Sequence, residues 1–290
     1  MPLISIRRLN LALPDRAAKP LFGRTPRREI LRNIDLDIEG GECLGLVGES
    51  GSGKTTLGRT LLRLYEPTSG TIHFAGQDIT HLAERDMRPL RARMQMAFQD
   101  PQSSLNPRHR IADILAQPLL AFNRVKDRAE GCAQALALLN RVGLPSEFAR
   151  RFPHELSGGQ RQRVGMARAI ALKPQFIVAD EIVSGLDVST KAQILTLLRQ
   201  LKPENDQALL FIGHDLSVVR VLCDRVAVMR QGEIIEAGPC EQVFGNPQHE
   251  YTRQLLDAIP LPDFDPDWVT REDASQKIEN AAPRDVKSEH

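Results

Sequence analysis

Aromatic residues make up only 4% of the 290-residue chain, with one tryptophan and two tyrosines. That is too few for the interleaved stacking platform on which single-stranded nucleic acid lies. No sign of charge dominates either. Lys plus Arg total 38 against 37 for Asp plus Glu, a formal charge of +1, so no whole-molecule field steers the chain to nucleic acid or anionic lipid. Long apolar runs are missing. Nothing approaches the roughly 18 residues of a membrane span, and charge at Arg7 and Arg8 comes before any signal-peptide core could form. The expectation is a protein soluble by itself, with any membrane role supplied through another chain. Cysteine is also scarce. Cys43, Cys132, Cys223 and Cys240 lie far apart with no CxxC or Cys/His metal spacing, which predicts buried, inert thiols in a reducing cytoplasm.

What the chain does have is 41% hydrophobic residues, enough for a sizeable core. Residues 3–13 alternate as a strand, and residues 14–32, rich in Pro, Arg and Lys, read as a loop. Residues 34–38 alternate strictly, Gly40-Gly41 turns the chain, and Cys43–Val47 reads as a buried strand. A Gly-rich turn and a helix over 55–64 follow, then a short strand over 71–74. From about 85 to 171 the pattern is mainly helical, best over 111–122 and 129–142. Strand signals return at 176–179, 208–212 and 225–229, with helices over 191–201 and 216–222 between them. This alternation predicts a parallel sheet. Beyond Trp268 apolar periodicity is lost and acidic residues exceed basic ones, which predicts a disordered tail.

Gly48-Glu49-Ser50-Gly51-Ser52-Gly53-Lys54-Thr55 fits GxxxxGK[ST] between an apolar strand and a helix start. Its glycines let backbone N–H groups curl inward around phosphate, and the helix N-terminus adds positive potential. Lys54 is expected to reach the β- and γ-phosphates and Thr55 to bind Mg²⁺, with Thr56 completing the nucleotide-binding run. A second acid must share the metal, and Asp180-Glu181 directly follows the apolar strand 176–179. Asp180 is assigned to Mg²⁺, and Glu181 to polarising the water that attacks the γ-phosphate. Ser157-Gly158-Gly159-Gln160 opens another helical run, a second N-terminal anion site. One nucleotide does not need two such sites in one place. The economical arrangement is a head-to-tail dimer in which the Ser157 region closes over the γ-phosphate held by the other subunit.

These motifs, with Gln99 in Phe98-Gln99-Asp100-Pro101, Ser184-Gly185-Leu186-Asp187 and His214 in Gly213-His214-Asp215, stand in an order that resembles the ATP-binding subunits of ABC transporters. The resemblance implies an α/β P-loop NTPase fold: a mixed, mainly parallel central sheet, an antiparallel β subdomain, and a helical subdomain over about 85–156 within an ATPase domain of 1–245. It implies that Gln99 contacts Mg²⁺ and the attacking water and senses the transmembrane partner. Asp187 belongs to the loop linking two sites, and His214 contacts the γ-phosphate. The finer resemblance is to oligopeptide/dipeptide importer ATPases, F-type subunit. It is carried by the segments 61–70, 99–108 and Asn246-Pro247-Gln248-His249-Glu250-Tyr251-Thr252, and by the loop Leu21-Phe22-Gly23-Arg24. It implies a C-terminal extension over 246–290 and a place on the cytoplasmic face of the inner membrane. The implied partners are two permease subunits, a sibling or identical ATPase, and an extracytoplasmic binding protein, with no nucleic acid. An exporter ATPase and a soluble ABC ATPase are the alternatives. Departures from the pattern are Ile182 where relatives often have Pro, Gly185 where they have Ala, and Leu13 at the position of the adenine-stacking aromatic, with Phe22 nearby. There is also no Cys-rich C-terminal segment.

Overall fold

Two β-sheets divide the strands of the chain, which a computed structural model describes over residues 1–15, 25–100, 104–201 and 206–257. The first sheet is antiparallel, in the order β2-β1-β4-β5, from β1 (Ile4–Pro14), β2 (Arg27–Ile38), β4 (Ser69–Phe74) and β5 (Gln77–Asp78). The second runs β10-β9-β3-β8-β7-β6, from β3 (Cys43–Val47), β6 (Met94–Ala97), β7 (Phe176–Asp180), β8 (Ala208–Ile212), β9 (Arg225–Arg230) and β10 (Glu233–Pro239). Its pairings are parallel except β10 on β9. The expected mixed, mainly parallel sheet and antiparallel portion are both present.

The parallel strands read as unbroken apolar runs because both of their faces are covered. Leu44 and Leu46 of β3, Val178 of β7, Leu210 of β8 and Met229 of β9 point into a core shared with β1, β2, β4 and helix α1 (Lys54–Leu61). Their neighbours Cys43, Val47, Ile177, Ala179, Leu209, Phe211 and Val228 point into the opposite core. Helices α5 (Gly158–Ile170), α6 (Val188–Leu201) and α7 (Leu216–Leu222) fill that second core. Period-two alternation is thus preserved, but both phases are apolar.

Residues 27–32 are strand, where a loop was expected from their charge. In this stretch of β2 the side chains of Arg28, Glu29 and Arg32 are exposed while Leu31 is fully buried, and Leu31 pairs with Leu11 across the sheet. The 85–171 region is likewise not helical throughout. After α2 (Glu84–Arg91), Met94–Ala97 joins the second sheet beside β7, four residues too short for periodicity to separate from helix. The helical part proper begins at α3 (Ile111–Ala121) and α4 (Arg128–Arg141), and then passes through 3-10 turns to α5. Two C-terminal helices, α8 (Cys240–Gly245) and α9 (Glu250–Asp257), close the described chain. The expected tail beyond Trp268, and Phe22 in its loop, lie outside the described residues. No described helix is long and apolar enough to cross a membrane. Cys43, Cys223 and Cys240 are buried, Cys132 is half-buried, and all four are free.

Candidate active site

Because β3, β8, β7 and β6 run parallel, their carboxyl ends share one edge of the sheet, the edge where open α/β sheets place ligands. The loop 48–53 leaves that edge after Val47, Asp180-Glu181 after β7, Gln99 after β6, and His214 after β8. Separate segments of the sequence are thereby brought to one place.

The loop is shaped by its neighbours. Gly48 has φ +145°, and a Cβ there would stand 2.0 Å from the Met229 carbonyl oxygen of β9, so no side chain fits at the start of the turn. The Gly232 N–H, in the β9–β10 turn, donates to the Ser52 carbonyl at 2.9 Å. Gly53, in the left-handed region, caps α1, and its carbonyl accepts from Leu57 N–H. Lys54, only 6% exposed, turns its Nζ back to donate to the carbonyls of Gly48 (2.7 Å) and Glu49 (2.8 Å). Burial pulls its pKa below the ordinary lysine value, opposed by the carboxylates of Glu181, Asp180 and Glu49.

Across the sheet edge, the Thr55 hydroxyl donates to Asp180 Oδ1 at 2.8 Å. Asp180 is 1% exposed, and burial pushes its pKa upward against that hydrogen bond and against Arg59. The residues expected to share a metal therefore meet through hard oxygen atoms, a donor set that suits Mg²⁺. Gln99 Nε2 donates to Glu181 Oε2 at 2.7 Å. Glu181 itself has φ +47°, and its N–H donates to Ile212 O of β8 at 2.9 Å, so the residue expected to handle water is held in an uncommon backbone conformation at the sheet edge. His214 is exposed two residues beyond β8.

The Ser157 region is a capped helix start. Gln160 N–H donates to Ser157 Oγ at 3.3 Å, and Ser157 N–H donates to Gln160 Oε1 at 2.9 Å, a capping box, with Ser157 and Gly158 exposed. Thr190 links this helix start to the Asp187 loop. A Cβ on Gly159 would come within 2.6 Å of Thr190 Cγ2, while Asp187 accepts from the Thr190 N–H (2.9 Å) and hydroxyl (2.8 Å). Those bonds hold the Asp187 carboxyl below its usual range.

With that geometry in hand, the comparisons are specific. The family description "ABC transporter" matches residues 31–184, and "Oligopeptide/dipeptide transporter, C-terminal region" matches residues 235–284. The chain belongs to the ABC transporter family. This ABC ATPase is 50% identical over 243 residues to the dipeptide transport ATP-binding protein DppF of Lactococcus lactis, covering 83% of the chain and 78% of that protein. It is 47% identical over 244 residues to the oligopeptide transport ATP-binding protein OppF of Bacillus subtilis, covering 83% and 80%. Among solved structures it resembles a dimeric ATP-binding cassette in a post-hydrolysis state bound to ADP and Pi. There the TM-score is 0.73 at 28% identity, with 82% of this chain and 98% of that one covered.

Tyr251, quoted in the sequence only as part of a family segment, touches the ATPase's Gly-rich loop. Its hydroxyl accepts from the Glu49 N–H at 3.0 Å across 202 residues of sequence. No local pattern signals a contact of that separation.

Proposed function

We propose that the chain hydrolyses ATP at the interface of a head-to-tail dimer and so energises an importer of peptides. The observation that supports this best is the meeting of Lys54, the Thr55–Asp180 pair and the Gln99–Glu181 pair at one sheet edge. Lys54 and the loop N–H groups hold the β- and γ-phosphates. Thr55 and Asp180, with Gln99 beside them, would hold Mg²⁺, and that ion would supply neutralisation of the charge developing on the phosphate oxygens. Glu181 takes the proton of the water whose oxygen attacks the γ-phosphorus while the bond from that phosphorus to the β,γ-bridging oxygen breaks and ADP leaves; Gln99 fixes the orientation of the Glu181 carboxylate, and His214 contacts the γ-phosphate. The Ser157–Gln160 helix start of the partner subunit closes the site, and the Asp187 loop joins it to the neighbouring one.

Peptide as substrate rests on the names of the DppF and OppF relatives and on the matched C-terminal region. The permeases have a place to dock. A groove of about 380 Å³, lined among others by Leu62, Leu64, Met96, Phe98, Gln117 and Pro118, lies between the sheet and α3 and includes the neighbour of Gln99. A permease segment seated there moves with Gln99, which couples dimer closure to transport on the cytoplasmic face of the membrane.

Glu181→Gln tests the catalytic part. The variant binds ATP and accumulates as an ATP-dependent dimer by size exclusion, while turnover falls by a factor of at least about 100. Turnover at the wild-type rate refutes the assignment. ATPase activity indifferent to assembly with the permeases refutes the coupling.

A further inference from the structure

The C-terminal segment is held to the sheet by one carboxylate. Glu236 of β10 accepts from the N–H groups of Gln248 (2.8 Å) and His249 (3.0 Å), which fixes the turn leading into α9. Tyr251, on the first turn of α9, is 3% exposed, and the Arg230 guanidinium from the end of β9 lies 4.7 Å from its ring centroid. The ring is thus buried against a cation, and its hydroxyl still needs a hydrogen-bond partner. It reaches the Glu49 N–H.

Glu49 is held from its other side too, since its carbonyl accepts from Lys54 Nζ at 2.8 Å. A chain of contacts therefore runs from Glu236 through Tyr251 and the Glu49 backbone to the lysine ammonium that reads phosphate. Loop 48–53 bonds to itself through Ser52 N–H to Glu49 O at 3.2 Å and otherwise leans on its neighbours, Lys54 Nζ, the Gly232 N–H and the Tyr251 hydroxyl among them, so that hydroxyl is one of the bonds that set its shape.

We propose that Tyr251 is a positioning residue for the nucleotide, a latch by which the C-terminal segment pre-shapes the phosphate loop and sets the place of Lys54. The inference rests on the reading of loop 48–55 as the ATP site. It makes the segment after β10 part of the nucleotide-binding apparatus, although it touches no phosphate itself.

The test is ATP titration of the full chain, with Tyr251→Phe and Lys54→Ala compared to wild type. Phenylalanine keeps the ring on Arg230 and removes only the hydroxyl. Losing one hydrogen bond to the loop weakens ATP binding about five- to tenfold, with the melting temperature within about 2 °C of wild type. In the Lys54→Ala background the same change costs less than in wild type, because part of the hydroxyl's effect passes through Lys54. If Lys54→Ala loses ATP while Tyr251→Phe binds it as wild type does, the latch is overturned and the ATP site stands. If Lys54→Ala binds ATP normally, the site reading fails and the latch with it. If affinity and melting temperature fall together in Tyr251→Phe, or the two changes add, Tyr251 is structural only and the proposal is likewise overturned.

Discussion

Gly48→Ala and Gly51→Ala are the same chemical change three residues apart in one loop, and the structure separates them widely. At Gly48 a Cβ would stand 2.0 Å from Met229 O and 3.1 Å from Ser52 Oγ, at φ +145°. Since such contacts do not form below 3.0 Å, something must move by about 1 Å. Met229 cannot give way, because β9 is fully buried there and paired on both sides by β3 and β10. The loop must move. Its disfavoured backbone angle costs about 1–3 kcal/mol, and residual overpacking a further 1–3 kcal/mol or so, which places Gly48→Ala roughly 2–6 kcal/mol below wild type. A displacement of about 1 Å in a phosphate cradle costs on the order of 100-fold in kcat/KM. Gly51 has φ +80° with nothing within 4 Å of the added carbon, so its substitution costs about 1–2 kcal/mol from the left-handed conformation alone. Urea unfolding and ATP titration of both variants decide the matter. A Gly48→Ala protein within about 1 kcal/mol and threefold of wild type would refute the reasoning.

Two further outcomes are expected. The two backbone N–H donors hold the Glu236 carboxyl below its usual range although burial opposes them, so its contribution is complete above the unfolded glutamate pKa and is lost as pH falls through the lower folded value. Glu236→Gln therefore costs about 1 kcal/mol at neutral pH, and the melting-temperature gap closes on acidification. A gap that does not shrink as the pH falls below the ordinary glutamate range contradicts this. Burial raises the Cys223 thiol well above its ordinary value and pushes Cys240 up to about 12. Alkylation of the native protein near pH 8 accordingly marks Cys132 alone, with the other three reacting on unfolding, and rapid native labelling of Cys240 would be the contrary result.

The sequence made the core sheet legible because its strands are buried on both faces. Runs such as Phe176–Asp180 and Ala208–Ile212 have no polar interruption to confuse with surface, and each ends where a chemistry-bearing residue begins. The meeting of Thr55 with Asp180 followed from strands of one direction ending at one edge, whereas Gln99 is assigned to the metal and the attacking water only by the family resemblance. Residues 27–32 and 94–97 were obscured for opposite reasons. The first are strand residues whose exposed face carries Arg and Glu, so composition read as loop. The second are four apolar-rich residues between helices, which carry no period of either kind. Tyr251 was hidden by distance, since its partner lies at the far end of the fold in sequence.

The two buried charges of the site show what its geometry is prepared for. Burial lowers the Lys54 pKa and raises that of Asp180, so in both cases the first cause disfavours the charged form. Each group relieves the other only in part, because Nζ spends its donors on the carbonyls of Gly48 and Glu49 while Oδ1 accepts only a hydroxyl. A polyphosphate answers the first deficit and a divalent cation the second. On the proposed reading nucleotide and Mg²⁺ would answer both deficits together, and their binding would add to the stability of the fold. A near-neutral chain can achieve this because the fields that matter are local. The whole-molecule charge of +1 hides this, since it averages over the chain, whereas at one sheet edge two opposite charges, Lys54 and Asp180, lie buried.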